Sequence, residues 1–493
     1  MQTLFKFVVC GLLSSFLFPP FFILPLGFVA FPIFFFLITD QKFLRKTKFF
    51  KFLCGLFYGL ALNFIALIWI KEPFLIYKET SELFILSYLL VLYCSLYYGF
   101  CTLILSFIKN NFSKLMLIPV LFVLCEILRE SIGYGFPWIT YSLVYSSNIF
   151  TINFIYYLGT YGLSFFIILV FLIPTNIILI LFNKKNYLLK IYFVTSLLII
   201  VAFSSLVINR INFSKENKNN LYEILLVQLN SSLLDRNKNL SQQNTMEEIT
   251  KIIQMNKSDL LVFSENDFPY IVESLNQLKF LQDMMHEDQT IIIGATKKDN
   301  SKYFNTLFSI QKNNILEFDK IKLVPFGEFL PFRKYLNFFN IIVGQNDYSI
   351  GEKNRHILIS NNISILPIIC YEIIFFNDLI NKENFESNLL VNITNDSWFG
   401  ELSGPYQHFY ITRKRAVEFN KTLIRVSNNG ISAIIDELGN IISHIPLNEK
   451  RTLAKNINKP ENLFNLTYFH NLIFIFLFFI SLGALIINLK NNE

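Results

Sequence analysis

Up to about residue 208 the apolar positions run on in long unbroken stretches, whereas beyond it they come in short runs divided by polar residues. A bilayer core is about 30 Å thick and a helix rises about 1.5 Å per residue, so a membrane span needs an apolar run of roughly 20 residues. Such runs occupy 4–18, 20–39, 49–70, 84–108, 115–129, 150–182, 188–208 and 469–489. The first ends at Pro19-Pro20 with no small-residue cleavage site behind it, which reads as one arm of a helical hairpin and not as a signal peptide. The fifth carries Glu126, one helical turn from Arg129, a spacing that suits a local pair near a membrane boundary. The sixth is too long for one span, and Gly159 and Gly162 suggest that 162–182 is the part that crosses.

Between 212 and 467 the runs are YEILLVQL, DLLVFSE, TIIIGAT, FNTLFSI, ISILPIICYE, NLLVNIT, TLIRVSN and GISAIID. Runs of four to eight rich in Ile, Leu and Val, bounded by polar stretches, predict buried strands, and helical patterns at 241–256 and 406–420 lie between them. Alternating strands and helices argue an α/β sandwich with its helices outside. The glycines here are isolated and form no nucleotide-binding pattern. The expected architecture is therefore a multi-span α-helical membrane domain over 1–211 with about seven spans, an α/β domain over 212–467, and a last membrane helix with a short tail over 468–493.

Composition agrees. Of 493 residues 53% are hydrophobic and 16% charged, against about 25% charged in soluble domains, which excludes a wholly soluble protein. With 18 Gly, 15 Pro and 6 Cys the chain is neither collagen-like, disordered nor a disulfide scaffold. The net charge of +7 divides by region: residues 1–211 hold 15 Lys and Arg against 6 Asp and Glu, while 212–467 hold 27 against 29. Nucleic-acid binding thus has no support. The basic residues mark alternate loops, with Lys42, Arg45, Lys46, Lys48 and Lys51 in 40–51, Lys109 and Lys114 in 109–114, and Lys184, Lys185 and Lys190 in 183–190. Cytoplasmic loops carry such an excess, and five crossings from loop 40–51 put 212–467 outside the cytoplasm.

Five cysteines lie in apolar runs; only Cys370 lies in 212–467, so it has no disulfide partner there. It ends a strand-like run and is followed by Tyr371 and Glu372, where a nucleophile can face a cleft while the strand holds it. A thiol needs a base, and the candidates are Glu265 at the end of LLVFSE or a histidine such as His408. A lysine would hold an oxyanion, and FDKIKLVPFGEF offers Lys320 and Lys322 beside Glu328.

In this order LVFSE, FDKIKLVPFGE, IICYE, NITNDSWFG and RKRAVEFNKTLIRVSNNGISAIID resemble the carbon-nitrogen hydrolase, or nitrilase, superfamily. With the flanking spans, FPPF near the start and GFPW at 135–138, essentially the whole chain resembles the apolipoprotein N-acyltransferase family. The resemblance implies a nitrilase-like α-β-β-α sandwich on the extracytoplasmic face of a bacterial inner membrane, with Glu265 as general base, Lys320 as the oxyanion-stabilising cation and Cys370 as nucleophile. The choice of Lys320 over Lys322 follows from its place eight residues before the Glu of PFGE. By the same resemblance Glu328 orients the lysine or shares a proton with the base, Tyr371 lends its backbone N–H to the oxyanion, and Glu372 supports the loop.

The implied reaction moves an acyl chain from a glycerophospholipid, phosphatidylethanolamine being the usual donor, through a Cys370 thioester to the α-amino group of a diacylglyceryl apolipoprotein. No metal or other cofactor is implied. The alternatives are a membrane-tethered amidase or nitrilase acting on a small substrate, and a transport or scaffold protein that binds without turnover. Trp398 and Phe399 are candidates for substrate contact or for core packing, and Trp138 for an interfacial anchor or substrate contact. The apolar stretch 335–344 suits either a lid that dips into the bilayer surface or a buried helix. The chain departs from the family pattern at Ser264, where a proline is usual, at Leu229, where a glycine is usual, and in lacking a tryptophan after Leu229, which puts the loop 229–240 in question as a substrate surface.

Overall fold

A computed structural model describes residues 1–183, 186–213, 221–234, 238–335, 340, 346–352, 355–360, 363–379, 386–461, 463, 466–472, 475 and 479. The chain forms two compact units: Met1–Lys71 with Phe84–Lys215 and Leu466–Glu493, and Glu72–Leu83 with Glu216–Asn465.

The first unit is helical. Its elements are α1 (Gln2–Ser15), α2 (Gly27–Thr39), α3 (Lys48–Ala66), α4 (Tyr88–Phe107), α5 (Asn111–Ser131), α6 (Phe154–Phe171), α7 (Ile173–Phe182) and α8 (Tyr187–Phe213). Among the described residues α3, α4 with the 3-10 segment before it, α5, α6 and α8 are long and apolar enough to cross a membrane, while α1, α2 and α7 are shorter apolar helices. Small residues set the closest approaches, because apolar side chains gain little from one another in lipid and backbones must pack directly. A Cβ at Gly55 of α3 would lie 2.2 Å from the Tyr98 carbonyl of α4. The Tyr58 hydroxyl, buried beside this contact, donates to Ser14 Oγ at 3.0 Å.

Three expectations can be followed in this unit. The run 150–182 does break at Gly159, whose φ of 66° and ψ of 178° are not helical, but 162–182 is not one continuous helix. It divides again at Leu172, because Pro174 in the first turn of α7 has no N–H to continue the helix before it. Trp138 is no interfacial anchor: it is 1% exposed, its ring 4.5 Å from that of Trp69 and stacked with Phe136. Glu126 and Arg129 are both buried and reach the chain beyond α5, Glu126 Oε1 accepting from the Tyr141 N–H at 2.6 Å and Arg129 donating to the Ile139 carbonyl at 2.6 Å. The run 469–489 and the stretch 335–344 fall largely outside the described residues.

The second unit contains two six-stranded sheets. Its strands are β1 (Leu221–Gln228), β2 (Leu260–Val262), β3 (Thr290–Asp299), β4 (Lys302–Gln311), β5 (Asn314–Asp319), β6 (Ile357–Ser360), β7 (Ile363–Ile369), β8 (Leu389–Thr394), β9 (Thr422–Ser427), β10 (Ser432–Ile435), β11 (Ile441–Ile445) and β12 (Arg451–Asn458). One sheet is ordered β12-β1-β2-β3-β4-β5 and the other β11-β10-β9-β8-β7-β6. Each has three parallel strands at its centre, β1, β2 and β3 in one and β7, β8 and β9 in the other, with antiparallel strands outside.

Burial on both faces explains the unbroken apolar runs of the central strands. In β1, Leu225 and Val227 pack in the layer that holds Ile249 and Ile253 of helix α9 (Asn239–Met255), while Ile224 and Leu226 are equally buried on the opposite face. Helix α10 (Ser403–Phe419) follows the second sheet's β8 and leads into β9, ending on Asn420 in the left-handed conformation. The two sheets are tied at one end, where Ser432 Oγ donates to Gln228 Oε1 at 2.5 Å and Asn230 N–H to the Asn428 carbonyl at 2.8 Å. All eight apolar runs are strands; β5, β6, β11 and β12 are additional.

Candidate active site

Glu265, Lys320 and Cys370 each sit just past the C-terminal end of a strand. Beyond β2 the chain turns sharply, with the Ser264 N–H donating to Asp267 Oδ2 at 2.7 Å. The turn lies directly on β3 at Gly294, where a Cβ would come within 2.6 Å of the Asn266 nitrogen. Only glycine admits that approach, and Glu265 in this turn is buried, with 5% exposure. The position that departs from the family pattern, Ser264, is fully buried in this turn, and Leu229 packs in the core beside α9.

Lys320 follows β5 directly and is locked on both sides of its peptide, its N–H to the Asn305 carbonyl at 2.8 Å and its carbonyl from Gly351 N–H at 3.0 Å. Its side chain is 1% exposed, with Nζ 2.8 Å from Glu328 Oε1 and 3.4 Å from Glu265 Oε1. Burial alone would lower a lysine's pKa, but the two carboxylates outweigh it, and Lys320 is held well above its ordinary value. Lys322 takes the other direction, 3.1 Å from Asp378 with its ammonium over the Phe375 ring. The side chain that reaches the two glutamates is thus that of Lys320.

Asn305, in the interior of β4, gives the arrangement its third cross-link. Its amide donates to Glu265 Oε1 at 2.7 Å and to Glu328 Oε1 at 2.8 Å. Glu328 Oε2 accepts the Val324 N–H at 2.7 Å, so both of its oxygens are engaged. Among the described residues no hydrogen bond reaches Glu265 Oε2. The two carboxylates therefore differ: Glu328 is fixed as a counterion to Lys320, and Glu265 keeps an oxygen open to accept a proton.

Cys370 begins a 3-10 turn after β7 with φ of 50°, a conformation that costs a non-glycine residue about 1–3 kcal/mol. Glu372 holds the turn there. Its carboxylate accepts the Ile369 N–H at 2.8 Å and the Ile321 and Lys322 N–H groups at 2.8 and 3.1 Å, joining the cysteine turn to the lysine loop. Arg355 completes it with paired contacts of 2.8 and 3.0 Å. Burial resists ionisation of Glu372, but Arg355 and these N–H groups prevail and its pKa lies below the usual range. The Cys370 thiol, 5% exposed, is pushed well above its ordinary value by burial and by Glu265, with Lys320 opposing. At neutral pH it rests as a thiol and needs a base to become nucleophilic.

The other candidates are also placed. Tyr371 packs its ring edge-on against Phe375 at 5.0 Å. Phe399 is buried with its ring edge-on to His408 at 5.4 Å, and Trp398 is half-buried. His408 is itself fully buried, its Nδ1 2.8 Å from Asp396 Oδ1, while Arg425 donates to Asp396 Oδ2 at 2.6 Å. Burial and Arg425 lower its pKa, so it is neutral at pH 7. The signals for Asn305, Arg355 and the Asp396–Arg425 pair are isolated polar residues in apolar or charged stretches, which sequence reading passed over.

Comparison with known proteins gives a consistent result. Residues 10–173 match the family described as the apolipoprotein N-acyltransferase N-terminal domain, and 224–461 match carbon-nitrogen hydrolase. A protein of Rickettsia prowazekii named apolipoprotein N-acyltransferase is 31% identical over 467 residues, 90% of each chain. One of the same name from Brucella melitensis is 27% identical over 90% of this chain and 88% of its own. A solved carbon-nitrogen hydrolase superfamily protein of Xanthomonas campestris covers 49% of this chain and 91% of its own length at 17% identity, with a TM-score of 0.38. With both of its regions matched in order and a relative 31% identical over 90% of each chain, the chain belongs to the apolipoprotein N-acyltransferase family.

Proposed function

We propose that the chain transfers an acyl group from a glycerophospholipid, phosphatidylethanolamine in the first instance, to the α-amino group of the S-diacylglyceryl-cysteine at the N-terminus of an apolipoprotein. The chain is a multi-pass membrane protein and an acyltransferase, as its family and its apolar helices require. The donor, the bacterial inner membrane as its site and the outward face of the catalytic domain are the finer part of the reading. The basic loops at 40–51 and 109–114 support that orientation.

Glu265 takes the Cys370 thiol proton on its open oxygen, and the thiolate attacks the ester carbonyl of the donor. Lys320 and the Tyr371 N–H stabilise the tetrahedral oxyanion. As the carbonyl re-forms, the lysophospholipid alkoxide leaves with the proton from Glu265, and a thioester remains. The acceptor amine then attacks the thioester, Glu265 takes its proton, and the Cys370 thiolate leaves and is reprotonated. The product is an amide, and no net proton is gained or lost by the site. Both substrates are lipid-anchored, so meeting them in the plane of one membrane replaces a three-dimensional search.

The observation that carries this reading is Glu265 Oε2, unengaged in a buried site whose thiol is too weakly acidic to ionise unaided. The test is transfer from a phospholipid labelled in one acyl chain to a synthetic diacylglyceryl lipopeptide. The wild-type protein is expected to give a labelled triacylated product and Cys370→Ala none. Equal product from Cys370→Ala would reject the assignment.

A further inference from the structure

We infer that Asn305 Oδ1 accepts one N–H of the incoming α-amino group, so that two acceptors hold the amine in the second half-reaction: Glu265 Oε2 for the proton that leaves and Asn305 Oδ1 for the one that stays. This deepens the proposed transfer and rests on its acyl-enzyme at Cys370.

A carboxylate offers only acceptors, so the Asn305 amide must turn its NH2 toward Glu265 and Glu328, which it meets at 2.7 and 2.8 Å. The oxygen of the same amide is thereby fixed on the opposite edge. It is buried, on a residue 2% exposed, and among the described residues it accepts no hydrogen bond. Its strand neighbour does not supply one. Thr296 stands directly across the β3–β4 ladder, but its hydroxyl is engaged with the Tyr348 hydroxyl at 2.9 Å and reaches toward Asn266 Oδ1 at 3.5 Å. Nor can the amide turn over to find a donor, since its oxygen would then oppose two carboxylates. The strand is also held there, with the Asn305 carbonyl accepting the Lys320 N–H at 2.8 Å. A buried acceptor left without a donor is costly, and such an exception calls for an explanation.

Glu265 Oε2, the other acceptor without a partner among the described residues, belongs to the very group that Asn305 holds. A site with two open acceptors fits a nucleophile with two hydrogens. The cysteine thiol and the hydroxyl of a lysophospholipid carry one each, whereas a neutral primary amine carries two. In the second half-reaction the amine nitrogen gives its lone pair to the thioester carbon, one N–H proton passes to Glu265 Oε2, and the other N–H is donated to Asn305 Oδ1. The C–S bond then breaks, the sulfur leaves with the electron pair and takes the proton back from Glu265, and the retained N–H becomes that of the amide. A lysophospholipid attacking the same thioester in reverse spends its single O–H on Glu265 and has nothing for Asn305. The contact therefore favours the amine over back-transfer to the alcohol.

The experiment uses full-length protein loaded on Cys370 with one labelled acyl chain from phosphatidylethanolamine, freed of unreacted lipid and divided between a diacylglyceryl lipopeptide and lysophosphatidylethanolamine. Single-turnover rates of label loss to the two acceptors are compared in wild type and Asn305→Ala. Both acceptors need Glu265, so a purely positioning asparagine would slow them by one factor. Loss of a hydrogen bond made only by the amine predicts that the ratio of the amine rate to the alcohol rate falls about 10-fold. Asn305→Leu, close to asparagine in volume and without polar atoms, is read in the same way should the alanine variant fail to melt cooperatively. A ratio equal to that of wild type overturns the inference. Failure of the wild-type protein to load acyl on Cys370 would instead reject the underlying reading, and is seen before either acceptor is added.

Discussion

Lys320 is bound more closely to Glu328, at 2.8 Å, than to Glu265, at 3.4 Å. The ammonium is thereby anchored by a carboxylate whose other oxygen is tied to the backbone, and the second carboxylate is left the freer of the two. Glu328→Gln is expected to reduce acyl-enzyme formation about 100-fold, the scale of losing one preorganised electrostatic contact, with little change in phospholipid KM. Single-turnover kinetics would show it. A change confined to KM would contradict the role given to Glu328.

The neighbouring lysines separate by direction. Lys320→Met should lose at least about 100-fold in transfer rate, whereas Lys322→Met, whose side chain meets Asp378 and Phe375, should stay within a few-fold of wild type. The reverse order would place the oxyanion cation at the wrong residue.

Arg355 is the buried partner that keeps Glu372 ionised beneath the cysteine turn. Arg355→Met leaves that carboxylate uncompensated and is expected to cost about 3–5 kcal/mol. Thermal melts of the detergent-solubilised chain, with circular dichroism reporting the β-rich unit, should show a clear fall. Glu372→Gln keeps one acceptor oxygen, enough for the Ile369 N–H or for the Ile321 and Lys322 N–H groups but not for both, and should cost less than Glu372→Leu, which keeps none.

Asp396 supplies the pH dependence. Arg425 and His408 overcome the effect of burial and hold its pKa at about 2, below the ~3.9 of an unfolded aspartate. A depressed carboxylate stabilises the fold fully above its unfolded value, and the contribution, roughly 2–3 kcal/mol, is lost as pH falls from about 4 to about 2. Melting temperatures of wild type should therefore drop through that interval more steeply than those of Asp396→Asn, which starts lower at pH 7. Parallel curves would contradict the assignment.

Much of this was legible in the sequence because burial writes itself into the central strands. The eight apolar runs are strands, since β1, β7 and β8 are covered on both faces. The four strands that escaped are outer ones: β12 has one buried residue in RTLAKNIN, and β11 and β5 are mostly half-exposed. At the site, strand-end position singled out Glu265 and Cys370, and the family likeness chose Lys320 over Lys322. Asn305 was invisible because its partners are 23 and 40 residues away and one polar residue in a strand looks like an outward face. The Asp396, His408 and Arg425 cluster is likewise assembled by the fold from three elements. Trp138 misled for the opposite reason, since an aromatic in an uncharged loop reads as interfacial until Trp69 is seen against it.

The central claim is that Cys370 carries the acyl group between donor and acceptor. Its most direct test is the intact mass of the full-length protein after incubation with a phosphatidylethanolamine of one defined acyl chain and no acceptor. The account predicts a gain of one acyl mass, mapped to the peptide containing Cys370, released by neutral hydroxylamine and absent in Cys370→Ala. An unchanged mass, with triacylated product still formed once the acceptor is added, would contradict it.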